Sequence, residues 1–220
     1  MLVKGRIVDV DSGMGIEGVL VSNGEEVVRT GHEGCYKLRA DPGIHRFIFI
    51  TVPEGYRPLE SFFISAEKWG SGRIDFRLVP APERLKTPFT VAHVTDTHLG
   101  RISPEWLLED LERISREAEA DLVIASGDLT SRGEPEQLKL LSEIIKGLEI
   151  PVFPLFGGHD GNAERRAGRL GETFTRNWER WIGPAYYSFD WGGHHFILYP
   201  SEDHFFSPED QRMKKNWLPP

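Results

Sequence analysis

Apolar residues follow two different rhythms along the 220-residue chain. Through residues 1–79 they come in short runs. Val3, Ile7, Val19, Val21, Val27 and Val28 are separated by Asp11-Ser-Gly-Met-Gly15, Asn23-Gly24 and His32-Glu-Gly34. Arg46-Phe-Ile-Phe-Ile-Thr-Val52 and Ile74-Asp-Phe-Arg-Leu-Val79 read as further strands, and Asn-Gly between apolar runs signals a hairpin. Turn signals this frequent predict a small all-β sandwich. Pro80-Ala-Pro-Glu-Arg-Leu-Lys-Thr-Pro88 then disfavours both helix and central strand, and predicts a short, stiff linker.

After Pro88 strands alternate with helices. Phe89–Thr95 reads as a strand, and Ser103-Pro104 opens a helix with Ser at the N-cap and Pro in the first turn. Trp106, Leu107, Leu111 and Ile114 supply its apolar face down to about Ala120. Asp121–Ala125 is a second strand. Glu134–Gly147 is a second helix, with Leu138, Leu141, Ile144 and Ile145 inward and Gly147 as C-cap. Ile150–Phe156 is a third strand, although Pro151 and Pro154 suit a central position poorly. Near-continuous apolar strands joined by helices predict a parallel sheet covered on both faces.

Residues 161–183 are polar and Arg-rich and predict one or two helices. Arg165, Arg166, Arg169, Arg176 and Arg180 read as a solvated face with Trp178 and Trp181 packed inward, the alternative being a phosphate-contact role. Tyr186–Asp190 and His195–Tyr199 make a hairpin around Trp191-Gly-Gly193, and Ser207-Pro208 starts a last helix running through Trp217. The organisation is therefore two domains: a β-sandwich over 1–79, a linker over 80–88, and an α/β domain over 89–220.

Composition narrows the partners. A net charge of −8 argues against a nucleic-acid backbone or an anionic membrane surface as the main partner. A single cysteine, Cys35, excludes an internal disulfide framework. No apolar stretch approaches transmembrane length. Met1-Leu-Val-Lys-Gly-Arg-Ile-Val8 enters strand alternation without the apolar core of a signal peptide, so a cytoplasmic location is expected.

The chemistry gathers where the three later strands stop. Thr90-Val-Ala-His-Val-Thr-Asp-Thr-His98 places Asp96 and His98 at one strand end, Ser126-Gly-Asp-Leu129 places Asp128 at the next, and Phe156-Gly-Gly-His-Asp160 places His159 and Asp160 at the third. Open α/β sheets bind ligands beyond the carboxyl ends of their strands. Carboxylates and imidazoles suit Mn, Fe, Zn or Mg. Other histidines carry less: His93 is expected in the core or behind the ligands, and His32 and His45 at the surface or in turns.

In order and spacing, Asp96-Thr-His98, Gly127-Asp128 and Gly157-Gly-His-Asp160 resemble the D-x-H, G-D and G-N-H-[DE] motifs of the calcineurin-like metallophosphoesterase family. The resemblance covers about residues 90–217. The run Val3-x-Gly-x-Ile-Val8, Gly18-Val-x-Val-Ser-Asn-Gly24, Thr30-x-x-x-Gly-x-Tyr-x-Leu38 is similar to the carboxypeptidase-regulatory-like, transthyretin-like domain, which precedes some members.

The resemblance implies hydrolysis of a phosphomonoester or phosphodiester by two cations about 3.5–4 Å apart. It assigns Asp96 and His98 to the first metal and Asp128 to the bridge. His159 contacts the substrate and protonates the leaving oxygen, and Asp160 orients that imidazole. Two departures bear on this. Gly158 stands where the family has an Asn ligand, and the later His ligands, including a Gly-His-x-His segment, are missing. His194, His195 and His204 are the only later histidines. The expectation is therefore a nominally dinuclear centre with one well-formed site. Three readings stay open: part of an active enzyme, a degenerate relative serving as a binding or scaffold protein, or half of a site completed by another chain. A homo-oligomer covering the open sheet edge would suit the last.

Overall fold

The computed structural model describes residues 1–161, 174–201 and 203–218. The chain divides into two compact units, one formed by Met1–Thr87, Tyr187–Ile197 and Arg212–Pro220, the other by Pro88–Tyr186 and Leu198–Gln211. Among the described residues no helix is long and apolar enough to cross a membrane.

The first unit is built on strands β1 (Leu2–Asp9), β2 (Leu20–Ser22), β3 (Val27–Arg29), β4 (Cys35–Arg39), β5 (Phe47–Ile50), β6 (Tyr56–Pro58), β7 (Phe63–Ser65) and β8 (Phe76–Pro80). They form two four-stranded sheets, ordered β4-β1-β8-β6 and β3-β2-β5-β7. Alternation explains the burial: Tyr36 and Leu38 of β4 point inward while Cys35, Lys37 and Arg39 stay exposed. The Asn23-Gly24 pair does close the β2–β3 hairpin, but in a four-residue loop. The Asn23 side-chain oxygen accepts from the Glu25 and Glu26 amides, at 2.9 and 2.7 Å. His45 is buried rather than superficial. Its Nδ1 accepts from the Asp41 amide at 2.9 Å and its Nε2 lies 3.5 Å from Glu25.

Residues 80–88 are not merely an extended spacer. Pro82–Leu85 is a 3₁₀ turn in which Arg84 is buried, its guanidinium 4.9 Å from the Trp191 ring centre. Trp191 belongs to a hairpin of β12 (Tyr187–Trp191) and β13 (His194–Leu198), so that β12 packs in the first unit. Its two-residue turn has positive φ at both Gly192 and Gly193, 55° and 77°, the conformation that a two-residue hairpin turn requires. β12 meets the segment after β5 through a Val52–Phe189 bridge, and the Thr51 and Ser188 hydroxyls lie 2.7 Å apart.

The second unit holds β9 (Val91–Val94), α1 (Pro104–Glu117), β10 (Leu122–Ser126), α2 (Pro135–Gly147), β11 (Val152–Leu155), α3 (Arg176–Trp181) and the start of α4 (Pro208–Trp217). The strands pair parallel in the order β11-β10-β9. Ser103 caps α1, its hydroxyl accepting from the Trp106 amide at 3.3 Å. Leu107, Leu111, Leu138, Leu141 and Ile144 bury against Val123 and Ala125, each such side chain contributing roughly 1.5–3 kcal/mol.

Several expectations need correction here. Among the described residues α1 and α2 pack on the face of the sheet that carries Val123 and Ala125. Three strands added in one direction through same-handed crossovers put both helices on the same side. On the other face Val91 and His93 are exposed, so His93 is not a core residue. Among the described residues β11 lies at the edge of the sheet, where Pro154 is tolerated. Trp106, expected on the inner face of α1, is 66% exposed. Gly147 is the last helical residue, and Leu148, in extended conformation, is the C-cap. Of the Arg-rich segment, Arg165, Arg166 and Arg169 lie outside the described residues. Trp178 is buried and Trp181 half-buried.

Gly5 is where β1 comes closest to the chain before β8: a Cβ there would lie 1.6 Å from the Ile74 carbonyl oxygen. That oxygen also accepts from the buried Tyr36 hydroxyl at 2.7 Å. Gly5→Ala is expected to destabilise by about 3 kcal/mol, the upper end for overpacking against backbone. The midpoint of urea unfolding measures it.

Candidate metal centre

Asp96, His98 and Asp128, predicted from sequence as metal ligands, come together. One ligand atom from each lies within 4.8 Å of the others. All three residues have positive φ, at 55°, 45° and 53°. Left-handed backbone costs a non-glycine residue roughly 1–2 kcal/mol, so three at one place need a surrounding structure that imposes them.

That structure is a set of hydrogen bonds between the loops after β9 and β10. Asp96 N donates to Gly127 O, His98 N to Asp128 O and Leu99 N to Leu129 O, at 3.1, 3.0 and 2.8 Å. The Ser131 hydroxyl donates to His98 O and Leu99 O at 3.0 and 3.1 Å. Thr97 Oγ1 donates to Leu129 O at 2.9 Å. Asp96 is aimed by its neighbour, since Thr95 Oγ1 lies 2.7 Å from both Asp96 Oδ2 and Ser126 O.

The loop after β11 joins through His159 and Asp160. His159 N donates to Asp128 Oδ1 at 2.8 Å, which fixes that carboxylate. The His159 ring stands edge-on to His98, with centroids 4.8 Å apart. The expectation that Asp160 orients the His159 imidazole is corrected: His159 Nδ1 lies 3.0 Å from the Ser131 carbonyl oxygen. A carbonyl only accepts, so Nδ1 carries a hydrogen and Nε2 is left as the nitrogen that exchanges a proton.

Asp160 is instead a buried brace. Its Oδ1 accepts from Thr130 N and Thr130 Oγ1 at 2.7 and 2.9 Å, and its Oδ2 accepts from Gly157 N at 3.0 Å. Burial pushes its carboxyl up to about 6, against the pull of those donors. Thr130 and Ser131 are the functional positions that the motifs missed. The available signal was two hydroxyl residues directly after Gly127-Asp-Leu129, in a loop with little else to bury.

The residues suit a divalent cation on an observation independent of the motifs. His98 Nε2 lies 3.8 Å from Asp96 Oδ1, so an imidazole nitrogen and a carboxylate oxygen face one space with no other hydrogen bond between them. Two carboxylates and an imidazole are a donor set for such an ion. Among the described residues no fourth acidic or histidine side chain joins the group. Gly158 contributes backbone alone. His194 and His195 sit on β13, with Nδ1 of each held locally, by Gly192 O at 2.8 Å and by Asp190 Oδ1 at 2.6 Å.

A cavity of about 500 Å³ opens over the centre. Its floor is Thr95, Asp96, Ser126, Asp128 and His159, and Tyr199, Pro200 and Phe205 stand among its walls.

The brace generates a prediction with a sign. The folded-state value of Asp160 lies above the ordinary 3.8, so the native state holds this proton more tightly than the unfolded chain. Stability from this group is full below about pH 4 and is lost as pH rises through about 6. Asp160→Asn, one acceptor short at Gly157, is expected to be about 1–3 kcal/mol less stable at low pH, with the gap shrinking by neutral pH. Urea midpoints measured in chelator at the two pH values check this.

Comparison with known proteins meets the site from the other side. The family model described as calcineurin-like phosphoesterase matches residues 89–219, and that of the N-terminal domain of calcineurin-like phosphoesterase matches residues 1–80. The chain is 28% identical over 116 residues to an uncharacterised metallophosphoesterase of Aquifex aeolicus, covering 51% of this chain and 41% of the relative. It is 32% identical over 85 residues to a 3',5'-cyclic-nucleotide phosphodiesterase of a Nostoc species, covering 34% and 32%. It is 48% identical over 44 residues to a probable glycerophosphodiester phosphodiesterase of Arcobacter nitrofigilis, covering 20% and 16%. The match spans less than half the length of each relative. Since the family model takes in well over half of the chain, and the motifs that define it meet at one sheet edge, the chain belongs to the calcineurin-like phosphoesterase family.

Proposed function

We propose that this protein hydrolyses a phosphomonoester or phosphodiester in a divalent-metal-dependent reaction. The observation that carries the proposal is the meeting of Asp96, His98 and Asp128 in strained backbone at the strand ends, beside a cavity that Asp96, Asp128 and His159 line. In this reading Asp96, His98 and Asp128 would hold divalent metal. A bound cation supplies charge neutralisation at the phosphoryl group and lowers the pKa of water. Asp128 keeps its orientation through the His159 amide. His159, with Nδ1 engaged by the Ser131 carbonyl, presents Nε2 as the proton carrier. Water adds its oxygen to phosphorus as the P–O bond to the leaving group breaks. The leaving oxygen takes a proton from His159, and a proton from water passes to solvent.

Gly158 favours a second reading, a binding or scaffold protein that holds a single cation, because the position offers no side-chain ligand to another ion. In both readings we take the two sheets of residues 1–80 as the faces of a β-sandwich. Their mainly antiparallel pairing and alternating burial support this.

Mn²⁺-dependent hydrolysis of bis(p-nitrophenyl) phosphate tests the catalytic reading. Asp128→Asn is expected to lower kcat at least about 100-fold. Absence of turnover with any divalent ion would leave the binding reading. His159→Ala is expected to lower kcat roughly 10²–10⁴-fold for an alkyl ester and far less for a p-nitrophenyl ester. The reason is that p-nitrophenolate leaves without needing a proton. Equal losses on the two esters would rule out His159 as the proton donor.

A further inference from the structure

The cavity over the metal centre has two chemically different sides. Its floor is carboxylate, imidazole and hydroxyl, from Asp96, Asp128, His159, Ser126 and Thr95. The residues that follow β13 bring a side of another character, with Tyr199, Pro200 and Phe205 lining the same space. Phe205 is buried and its position is set from behind: its ring stacks on Phe174 at 5.0 Å and 16°, which leaves little freedom to turn away. Pro200 is buried and Tyr199 half-buried, the Tyr199 ring lying 6.4 Å from Tyr186. Gly157 and Gly158 line the cavity without side chains. At Gly157 a Cβ would come within 2.3 Å of the Asp128 amide nitrogen, so that part of the cavity stays clear of side-chain atoms.

The phosphate of a substrate belongs at the floor, so whatever group the phosphate carries must lie along these walls. A polyol there would surrender water contacts to two rings and a proline, with only the Tyr199 hydroxyl and Ser201 as polar partners on that side. A flat aromatic group loses little on leaving water and gains stacking or edge contact with Tyr199. The charge balance points the same way. Among the described residues no Lys or Arg lines the cavity, so nothing there besides the bound cation would offset the second charge of a monoester, which favours a singly charged diester.

We propose that Tyr199, Pro200 and Phe205 form a subsite for a flat aromatic substituent, and that the preferred substrates are phosphodiesters carrying such a group. The reaction assigned to them rests on the phosphoesterase reading above, whereas the binding preference does not. Tyr199 is the specificity-determining residue of the subsite, and Pro200 and Phe205 set its shape.

Three methyl phosphodiesters separate the sources of the aromatic group: one of adenosine through its 5′-oxygen, one of phenol and one of glycerol. Wild type is expected to show the lowest KM for the first two. Tyr199→Ala should raise KM for these roughly 5- to 100-fold, the range of one stacking contact. It should leave the glycerol diester within about 2-fold, and Tyr199→Phe should retain the wild-type order. A rise confined to the adenosine diester would assign the subsite to a nucleobase; a rise on both, to any flat ring. Equal rises on all three diesters, or none, would overturn the proposal. If wild type turns over none of them, calorimetric binding of adenosine 5′-monophosphate and of glycerol 3-phosphate in Mn²⁺ decides the matter. Tighter binding of the adenosine ligand, abolished by Tyr199→Ala and kept by Tyr199→Phe, would uphold the subsite while the catalytic reading fails. Equal binding of the two would overturn the subsite.

Discussion

The buried carboxylate of Asp160 is the constraint on which the site depends. It takes two hydrogen bonds from Thr130 and one from Gly157, and so joins the loop after β10 to the loop after β11. Removing one partner from such a buried set leaves a desolvated polar group unsatisfied, at a cost of about 1–3 kcal/mol. The next residue, Ser131, bonds the backbone of His98 and Leu99 and brings in the loop after β9. Three loops that would otherwise vary independently are thus held in one arrangement. That arrangement tolerates left-handed backbone at Asp96, His98 and Asp128, because leaving it would break bonds at several places at once.

Topology explains why the centre lies where it does. Three parallel strands entered in succession leave their carboxyl ends side by side, so each strand delivers its polar terminal residues to the same edge. The same succession puts both crossover helices on one face of the sheet. The helices bury Leu107, Leu111, Leu138 and Leu141 and hold the strands rigid from below. Loops on such a scaffold can carry strain and ligands together, since the elements they connect are fixed by apolar packing rather than by the site itself.

The cavity joins chemistry from distant parts of the chain. Its acidic and imidazole floor comes from the three strand ends, and its Tyr199, Pro200 and Phe205 wall comes from the stretch that follows the hairpin. The two sides of the cavity therefore come from different segments of the chain.

Much of this was legible without coordinates. The strand positions of the second unit, the Ser103 cap, the Gly192-Gly193 turn and the three motifs all express local rules of periodicity, capping and backbone freedom, and a linear reading reaches them. The meeting of Asp96, His98 and Asp128 was legible too, because parallel strands of similar length must end together. What the sequence did not disclose were long-range partnerships. Asp160 reads as a neighbour of His159, yet its carboxylate serves Thr130, thirty residues earlier. Trp106 reads as part of an apolar stripe, yet it lies outside the arc that the sheet covers. Pro154 reads as a misfit until β11 proves to be an edge among the described residues, and Tyr199 bears no motif at all. The sequence by itself determined which elements form and which residues stand at their ends, since those depend on contacts within a few residues. Only the tertiary structure decided which carbonyl orients an imidazole, which face of the sheet α1 and α2 pack on and which rings line the cavity, because those depend on distances between segments that local rules leave unspecified.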